Sequence, residues 1–203
     1  AGFMALFPNQ TDEALLACVE MRKELDVYNS HRLSVGYTPL DFGIGLHKGP
    51  LRLGIIGEEQ RLEGNVISDG VNLATMLEKM TEPLGSSILI TDSVIQSLER
   101  PTDFLYRDLG LIQVDGVKEP LHLFDVYQGD ADTIRALKEK TKGLFEQAVM
   151  FYQVGRFYDA REAFLMVLKQ NRQDKAAQLY FYMCDEYFGK GTTGEWNGTL
   201  SVS

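Results

Sequence analysis

Five glycines recur between residues 43 and 57, where backbone N–H groups are free to approach a phosphate. They are Gly43, Gly45, Gly49, Gly54 and Gly57. A phosphate-binding loop of the GxxxxGK type also needs a lysine and a hydroxyl residue at fixed spacing, and this stretch does not match that pattern. Glycine is equally required where a strand backbone passes close to a neighbouring element. We therefore predict close packing in a tight sheet rather than a phosphate loop.

The histidines and cysteines, which often mark nucleophilic or metal chemistry, are scattered along the chain. His31, His47 and His122 show neither HExxH nor triad spacing, and Cys18 and Cys184 belong to no CxxC pair. We predict that the imidazoles have structural roles and that both thiols are small buried hydrophobic groups. Unpaired cysteines suit a reducing compartment, which favours a cytoplasmic location.

The charge balance excludes several classes of partner. The chain has 203 residues, with 20 Lys and Arg against 29 Asp and Glu, giving a net charge of −9. The acidic excess lies in residues 1–130, which carry 10 basic and 20 acidic side chains, whereas residues 131–203 carry 10 and 9. Nucleic acids and anionic membrane surfaces require basic surface, so neither is expected as a partner. No apolar run reaches the ~20 residues of a membrane span.

Residues 1–128 mix strands and helices. The apolar periodicity predicts strands at 3–7, 40–47, 51–56, 87–91, 104–108, 110–114 and 121–127, and helices at 12–32, 66–79 and 93–98. Lys48-Gly49-Pro50 has turn chemistry, so we expect strands 40–47 and 51–56 to form a hairpin near the centre of the sheet. Asp69 is expected to cap a helix rather than to hold a metal. This order of elements predicts an α+β fold.

The character of the chain changes near residue 131, where strand signals stop. Helices are predicted at 133–154, 157–170 and 173–188, followed by a Gly/Thr/Ser-rich tail with a short terminal strand. Trp196 is expected to anchor this tail to the body of the protein. We therefore divide the chain into a sheet domain at 1–128, a helical region at 131–190 and a tail at 191–203.

The sheet domain resembles a class III nucleotidyl cyclase homology domain, that of the adenylate and guanylate cyclases. The resemblance rests on six blocks in order: FMALF at 3–7, GIGLHKG at 43–49, LGIIGEEQR at 53–61, GNVISDGVNLATMLE at 64–78, GSSILITDSV at 85–94 and VDGVKEPLHLFDVY at 114–127. It implies an incomplete ferredoxin-like sheet, lacking the N-terminal third, that pairs head to tail with a second cyclase-like chain, either a copy or a heterodimer partner. It also implies conversion of ATP or GTP into a cyclic nucleotide and pyrophosphate, with Mg²⁺ or Mn²⁺ in the complete site.

The resemblance assigns roles to three positions around the ISDGVNLA block. Asn72 matches the asparagine that positions the ribose. Met76 takes the place of the arginine that stabilises the transition state, and a thioether carries no charge and donates no hydrogen bond. Asn65 occupies the position that selects the purine base, where its amide still offers a donor and an acceptor. The site is therefore expected to be degenerate.

The same resemblance leaves the phosphate and metal positions incomplete. After Gly116 the family often has a triphosphate-binding lysine; here Val117 follows, and Lys118 comes one place late, which on a strand would put it on the other face. One metal-binding aspartate would lie upstream of Ala1, and Ala1 itself takes the place of the second if the register is unbroken. We expect no metal ion for this chain alone, and we interpret the chain as a piece of a longer protein.

The helical region resembles a tetratricopeptide-type hairpin. The residues that carry this likeness are Ala148, Tyr152, Gly155, Phe157, Ala160, Phe164, Leu168, Ala176 and Tyr180. A single repeat is a weak match, since solenoids usually need about three repeats, and a generic helical hairpin is the alternative. Three functions remain open: a cyclase active in its complete form, a cyclase-like module that binds without turnover, and an adaptor that binds a protein through its helices.

Overall fold

The computed structural model describes residues 2–56, 63–67 and 69–203. In chain order the elements are α1 (Thr11–Ser34), β1 (Ile44–Leu46), β2 (Arg52–Ile56), β3 (Glu63–Ile67), α2 (Asp69–Leu84), β4 (Ile88–Thr91), α3 (Asp92–Ser97), a 3₁₀ turn (Pro101–Asp103), β5 (Tyr106–Val114), β6 (Leu121–Val126), α4 (Asp132–Gln153), α5 (Phe157–Gln170), α6 (Lys175–Lys190) and β7 (Thr199–Val202). The α+β class expected from the sequence is confirmed. None of the described helices is long and apolar enough to cross a membrane.

Five strands form the main sheet in the order β1-β4-β6-β5-β7. The outer pairs β1–β4 and β5–β7 are parallel, and the inner pairs β4–β6 and β5–β6 are antiparallel. Strands β2 and β3 form a separate antiparallel pair. The sheet is therefore mixed, with a parallel strand on each side of an antiparallel centre.

The two faces of the sheet bury different apolar clusters, because side chains alternate along each strand. On one face, Ile88, Ile90 and Phe124 pack against Leu15 and Val19 of α1. Helix α1 is thus held by the first face of the sheet.

The opposite face carries a larger cluster that joins the sheet to the helices after residue 131. Leu89 and Leu123 of the sheet share this cluster with Leu77 of α2, Phe145 of α4 and Tyr180 of α6. The aromatic rings within it are closely packed, with Phe164 stacked on Tyr180 at 4.8 Å between centroids. The helical region and the sheet therefore have one continuous core.

The predicted hairpin of strands 40–47 and 51–56 is wrong. Strand β1 lies at the edge of the main sheet and pairs with β4, whereas β2 pairs with β3, whose residues 66 and 67 were predicted to begin a helix. The segment after β1 is attached elsewhere: His47 Nδ1 lies 2.9 Å from Thr91 Oγ1, and Ser93 Oγ donates to the Lys48 carbonyl oxygen at 3.0 Å. These bonds direct the chain along the start of α3 instead of back along β1.

Two further strand predictions differ from the structure. Residues 3–7 form no strand, and Phe3 is 79% exposed, because no described strand lies beside this segment to pair with it. The predicted strands 104–108 and 110–114 are one strand, β5, with a bulge between Asp108 and Gly110. Gly110 has φ +86°, a backbone conformation that other residues rarely adopt.

The C-terminal tail is a structural part of the protein, and Trp196 anchors it as expected. Its indole N–H lies 3.1 Å from the carbonyl oxygens of both Tyr152 and Gln153, and its ring packs edge-on against Tyr152 and Phe157 at 5.0 Å. Strand β7 then pairs with β5, with Val202 opposite Val114. The tail thereby covers one edge of the main sheet.

Candidate functional site

Helix α2 positions the two residues that the sequence singled out most strongly. Its inner face buries Leu77, Met80 and Leu84 in the core that joins sheet and helices. Asn72 and Met76 lie four residues apart, so they occupy neighbouring turns of the same side of the helix. Asn72 is exposed, and Met76 is half-buried and packs against the edge of that core.

Asn72 and Met76 line a shared cleft of about 420 Å³. The residues around this α2 cleft are Asn72, Thr75, Met76, Lys79, Met80, Val114, Asp115 and Ser203. The two methionines and Val114 supply apolar surface, while Asn72, Lys79 and Asp115 supply polar groups. The cleft therefore combines an apolar wall with an amide, an ammonium group and a carboxylate.

Sequence reasoning identified two of the eight residues that line the α2 cleft, and Thr75, Lys79 and Asp115 are among those it missed. Lys79 follows Met76 by three positions, a spacing that places both on one side of a helix and that could have identified it. The Thr75 hydroxyl donates to the Val71 carbonyl oxygen at 3.0 Å within the helix. Asp115 lies in the turn after β5, which only the tertiary structure brings to α2.

The turn between β5 and β6 holds the position of the expected triphosphate lysine. The Val117 N–H donates to the Val114 carbonyl oxygen at 3.1 Å, and the Gln113 side-chain amide donates to the Val117 carbonyl oxygen at 2.7 Å. Lys118 is exposed and does not line the α2 cleft. The strand-face argument against Lys118 was wrong in its reason, because this segment is a turn.

Asn65 lies on β3, where its backbone is opposite Gly54 of β2. Its side chain lies outside the described part of the structure, so its predicted base-selecting role stays a prediction.

The described residues do not offer a set of metal ligands. No three His, Cys, Asp or Glu side chains within the described ranges lie close enough together to hold an ion. Among the described residues that line the α2 cleft, Asp115 supplies the side-chain carboxylate. The described residues therefore do not fit a two-metal site.

The glycines have the packing role expected of them where the structure describes their surroundings. A Cβ at Gly45 would lie 2.6 Å from the Glu78 backbone nitrogen and 2.7 Å from the Leu77 Cβ, and one at Gly43 would overlap the Thr81 side chain. Strand β1 thus runs against α2 at a distance that only glycine permits, and these two positions cradle a helix rather than a phosphate.

The cysteines have the structural roles predicted for them, and so do two of the histidines. Burial raises the pKa of the Cys18 thiol to about 11 and that of Cys184 to about 12, so both stay protonated and unreactive. His122 Nε2 lies 2.8 Å from Asp108 Oδ1, and this hydrogen bond raises the pKa of the imidazole. His47 is held by Thr91, and burial lowers its pKa.

A buried ionic cluster lies where the sheet meets the helical region, and sequence reasoning missed it entirely. This junction cluster consists of Arg107 on β5, Asp125 on β6, Asp130, Lys138 on α4 and Asp174, which caps α6. The Lys138 ammonium lies 2.9 Å from Asp130 Oδ2 and 3.0 Å from Asp125 Oδ2, and it also donates to the Gly85 carbonyl oxygen at 3.1 Å. One lysine therefore links α4, the sheet and the end of α2.

The junction cluster shifts the pKa values of two of its carboxylates, Asp125 and Asp130, in opposite directions. Burial alone would raise the pKa of Asp125, but Lys138 and Arg107 outweigh it and hold this pKa below the usual value. At Asp130 burial prevails over the attraction of Lys138, and the pKa is raised. The Arg107 guanidinium also stacks on the Phe145 ring at 4.3 Å, so it is enclosed on its flat face as well.

Comparisons with known proteins agree with this architecture. The chain is 27% identical over 189 residues to the terminal-differentiation-specific adenylate cyclase of Dictyostelium discoideum, and the match covers 90% of this chain but 9% of that protein. It is 37% identical over 131 residues to an adenylate cyclase of Anabaena cylindrica, covering 62% of this chain and 26% of that protein. The chain therefore spans a minor part of the length of these relatives.

The Dictyostelium match extends beyond the sheet. Because it covers 90% of 203 residues, about 20 residues at most are unmatched, and the alignment must cross α4 and α5 and enter α6. The helical region is thus shared with that relative.

A solved structure and a family model give the assignment. The crystal structure of the guanylyl cyclase Cya2 is similar, with a TM-score of 0.50 and 29% identity over 61% of this chain and 62% of that one. The model of the adenylate and guanylate cyclase catalytic domain matches residues 2–127, ending one residue after β6. Since that match covers more than half of the chain, this protein belongs to the adenylate and guanylate cyclase catalytic domain family.

Proposed function

We propose that this chain forms the ribose-binding wall of a cyclase-type site for ATP or GTP and does not turn the nucleotide over by itself. The observation that carries the proposal is the joint position of Asn72 and Met76 in the α2 cleft. The exposed Asn72 amide can bind ribose hydroxyls, whereas the thioether beside it cannot meet a developing negative charge.

The chemistry of cyclisation explains why Met76 matters. The ribose 3′-oxygen attacks the α-phosphate and pyrophosphate leaves, so negative charge builds up on the phosphoryl oxygens and must be stabilised. An arginine does this well because its guanidinium presents several donors in a fixed plane. Loss of one electrostatic contact of this kind costs ~10²–10³ in rate.

A divalent ion, Mg²⁺ or Mn²⁺, supplies charge neutralisation in the complete family site. The described residues provide no ligand set for it, so turnover would need acidic groups from outside the described residues. In the proposed function these acidic groups come from a longer chain or from a paired cyclase-like chain. The pair is a homodimer or a heterodimer, and its location is the cytoplasm.

Self-association is supported by the exposed first residues of the chain. Phe3, Met4 and Phe7 are 79%, 53% and 43% exposed, and they lie next to no described strand. Burial of large apolar side chains stabilises association. Sedimentation at tens of micromolar should therefore show a dimer, and a strictly monomeric protein would contradict this part of the proposal.

The alternative function, a protein-binding module that uses the helical region, rests on a different surface. The inner face of α4–α6 is filled by the sheet, since Tyr152, Phe164 and Tyr180 are fully buried. The outer face exposes Tyr158 and Phe188, whose rings lie 5.5 Å apart. A partner would therefore bind this aromatic pair rather than a concave groove.

The test combines binding with turnover. Titration with ATP and GTP should show that Asn72→Ala weakens binding by about 2–10-fold, as expected for loss of a neutral hydrogen bond. The exposed amide of Gln173, outside the cleft, provides the matched control as Gln173→Ala. With Mg²⁺ or Mn²⁺ the unmodified chain should make no cyclic nucleotide, and Met76→Arg alone should not restore it. Robust turnover by the unmodified chain would contradict the proposal.

A further inference from the structure

Among the described residues that line the α2 cleft, Lys79 carries the positive charge. It is exposed, and it makes no ion pair or hydrogen bond with another described side chain. Two lysines at the C-terminal end of α2 are used differently: Lys138 belongs to the junction cluster, and Lys175 donates to the Glu82 carbonyl oxygen at 3.1 Å. Among the described residues, no side chain therefore competes with a ligand in the cleft for the Lys79 ammonium.

Lys79 lies on the same side of α2 as Asn72 and Met76, so a nucleotide that extends from Asn72 past Met76 would reach it. Asn72 and Lys79 are seven positions apart, which is nearly two turns of helix. Their side chains therefore lie on the same side of α2, about 10 Å apart along the helix axis. Met76 lies between them on the same side. A ligand whose ribose contacts Asn72 and which follows the helix would pass Met76 before reaching Lys79.

The side chains of the cleft favour a ligand whose negative charge lies beside Lys79. Met76, Met80 and Val114 form an apolar wall without hydrogen-bond donors, so a phosphate beside them receives no compensation. The ammonium of Lys79 supplies that compensation about one turn beyond Met76, next to Met80 in the helix. We infer that Lys79 binds the β- and γ-phosphates of the nucleotide, an inference that rests on the proposed function of the same cleft.

This arrangement is suited to binding rather than to turnover. A lysine ammonium is a point charge on a flexible stem, whereas an arginine presents a planar fork of donors. Placed beyond Met76, Lys79 holds the leaving pyrophosphate part and leaves the α-phosphate, where the bond changes occur, beside a thioether. The chain therefore retains affinity for the triphosphate without stabilising the transition state.

Asp115 lies in the same cleft and opposes an anionic ligand. Its carboxylate repels phosphate, so it limits the affinity that Lys79 can give. Removing this charge should strengthen the binding of triphosphate, whereas removing the charge of Lys79 should weaken it. Opposite effects from two neighbouring charges distinguish a phosphate contact from a general change in stability.

Calorimetric titration of ATP, pyrophosphate and adenosine into the purified chain tests the inference. Lys79→Gln should weaken ATP and pyrophosphate binding by about 10-fold and leave adenosine unchanged. Asp115→Asn should strengthen ATP binding by about 3-fold. Lys79→Arg keeps the positive charge, so its affinity for ATP should equal that of the unmodified chain. Lys169→Gln, an equal charge change in the last turn of α5, is the matched control. Lysine and glutamine have similar helix propensities, so the fold is preserved.

The outcomes separate this inference from the proposed function. If Asn72→Ala weakens ATP binding and Lys79→Gln does not, the inference is wrong and the proposed function stands. If Lys79→Gln weakens pyrophosphate binding but Asn72→Ala leaves the affinities for adenosine and ATP unchanged, the phosphate contact stands and the proposed function fails. If neither ATP nor pyrophosphate binds to the unmodified chain, both are wrong.

Discussion

Arg107 and Asp174 form a buried two-bond ion pair that connects the cyclase-family sheet to the helices after it. The guanidinium Nη1 lies 2.6 Å from Asp174 Oδ2, and Nη2 lies 3.1 Å from Oδ1. Both side chains are fully enclosed. Asp174 also accepts the Ala177 N–H at 3.2 Å as the cap of α6, so one carboxylate fixes both the start of a helix and its attachment to β5.

We expect Arg107→Met to destabilise the protein strongly, by about 3–5 kcal/mol, because it leaves the buried Asp174 without its cationic partner and Asp125 with Lys138 alone. The free energy of unfolding from denaturant titration measures this loss. Arg161→Met, which breaks the exposed pair with Asp185, is the control and should have a much smaller effect. Equal losses for the two variants would mean that the junction cluster does not hold the helices on the sheet.

Gly110 and Gly116 offer a matched test of close packing at the bulge of β5. Both have positive φ, +86° and +81°, so an alanine meets similar backbone strain of ~1–2 kcal/mol at each. At Gly110 the added Cβ would lie 2.5 Å from the Tyr180 hydroxyl and 2.8 Å from Val149, whereas the space around Gly116 is open. Gly110→Ala should therefore be clearly less stable than Gly116→Ala in thermal unfolding. Similar melting temperatures would contradict the packing described for α4 and α6.

The His122–Asp108 pair should make stability depend on pH near neutrality. The pKa of folded His122 is raised above 6.5 by its hydrogen bond to Asp108, so its stabilising contribution is complete below pH 6.5 and is lost as pH rises through the folded pKa. The difference in unfolding free energy between the unmodified chain and His122→Gln should shrink as pH rises from below 6.5 through the raised pKa of folded His122. Asp108→Asn should remove this dependence, and a difference that grows with pH would contradict the pairing.

The single tryptophan reports whether the tail unfolds with the rest of the protein. Trp196 packs against Tyr152, which is fully buried in the shared core, and the Tyr152 hydroxyl donates to the Thr199 carbonyl oxygen at 2.9 Å. Tryptophan fluorescence and far-UV circular dichroism should therefore change at the same denaturant concentration. An earlier fluorescence transition would show that the tail detaches first.

Local sequence patterns located the first two helices after residue 131 closely, but they misplaced the start of α2 and were insufficient for strand pairing. The predicted helices 133–154 and 157–170 agree with α4 and α5 to within one residue, because their apolar positions repeat at the helical period over several turns. Turn chemistry at Lys48-Gly49-Pro50 suggested a hairpin, but the pairing of β1 is determined by its contacts with β4 and α2, which lie far along the chain. Short strands carry little information about their partners.

The residues of the candidate site and of the junction cluster also fall into those that the sequence could identify and those that it could not. Asn72 and Met76 could be identified because they belong to a contiguous block on one helix, and the structure brings them to one cleft. Asp115 and the junction cluster could not be, since Arg107, Asp125 and Asp174 come from separate elements and each alone resembles an ordinary surface charge. Only the fold shows that their charges are buried together.

Strand β7 has a consequence for the order in which the protein is made. The ribosome produces β5 long before it produces Thr199–Val202, so the nascent sheet has an open edge throughout the synthesis of the three helices. An open strand edge readily pairs with the same segment of another chain. Adjacent nascent chains on one messenger are therefore exposed to mutual pairing at β5 until the tail emerges, and the sheet is completed only after the three helices have been synthesised.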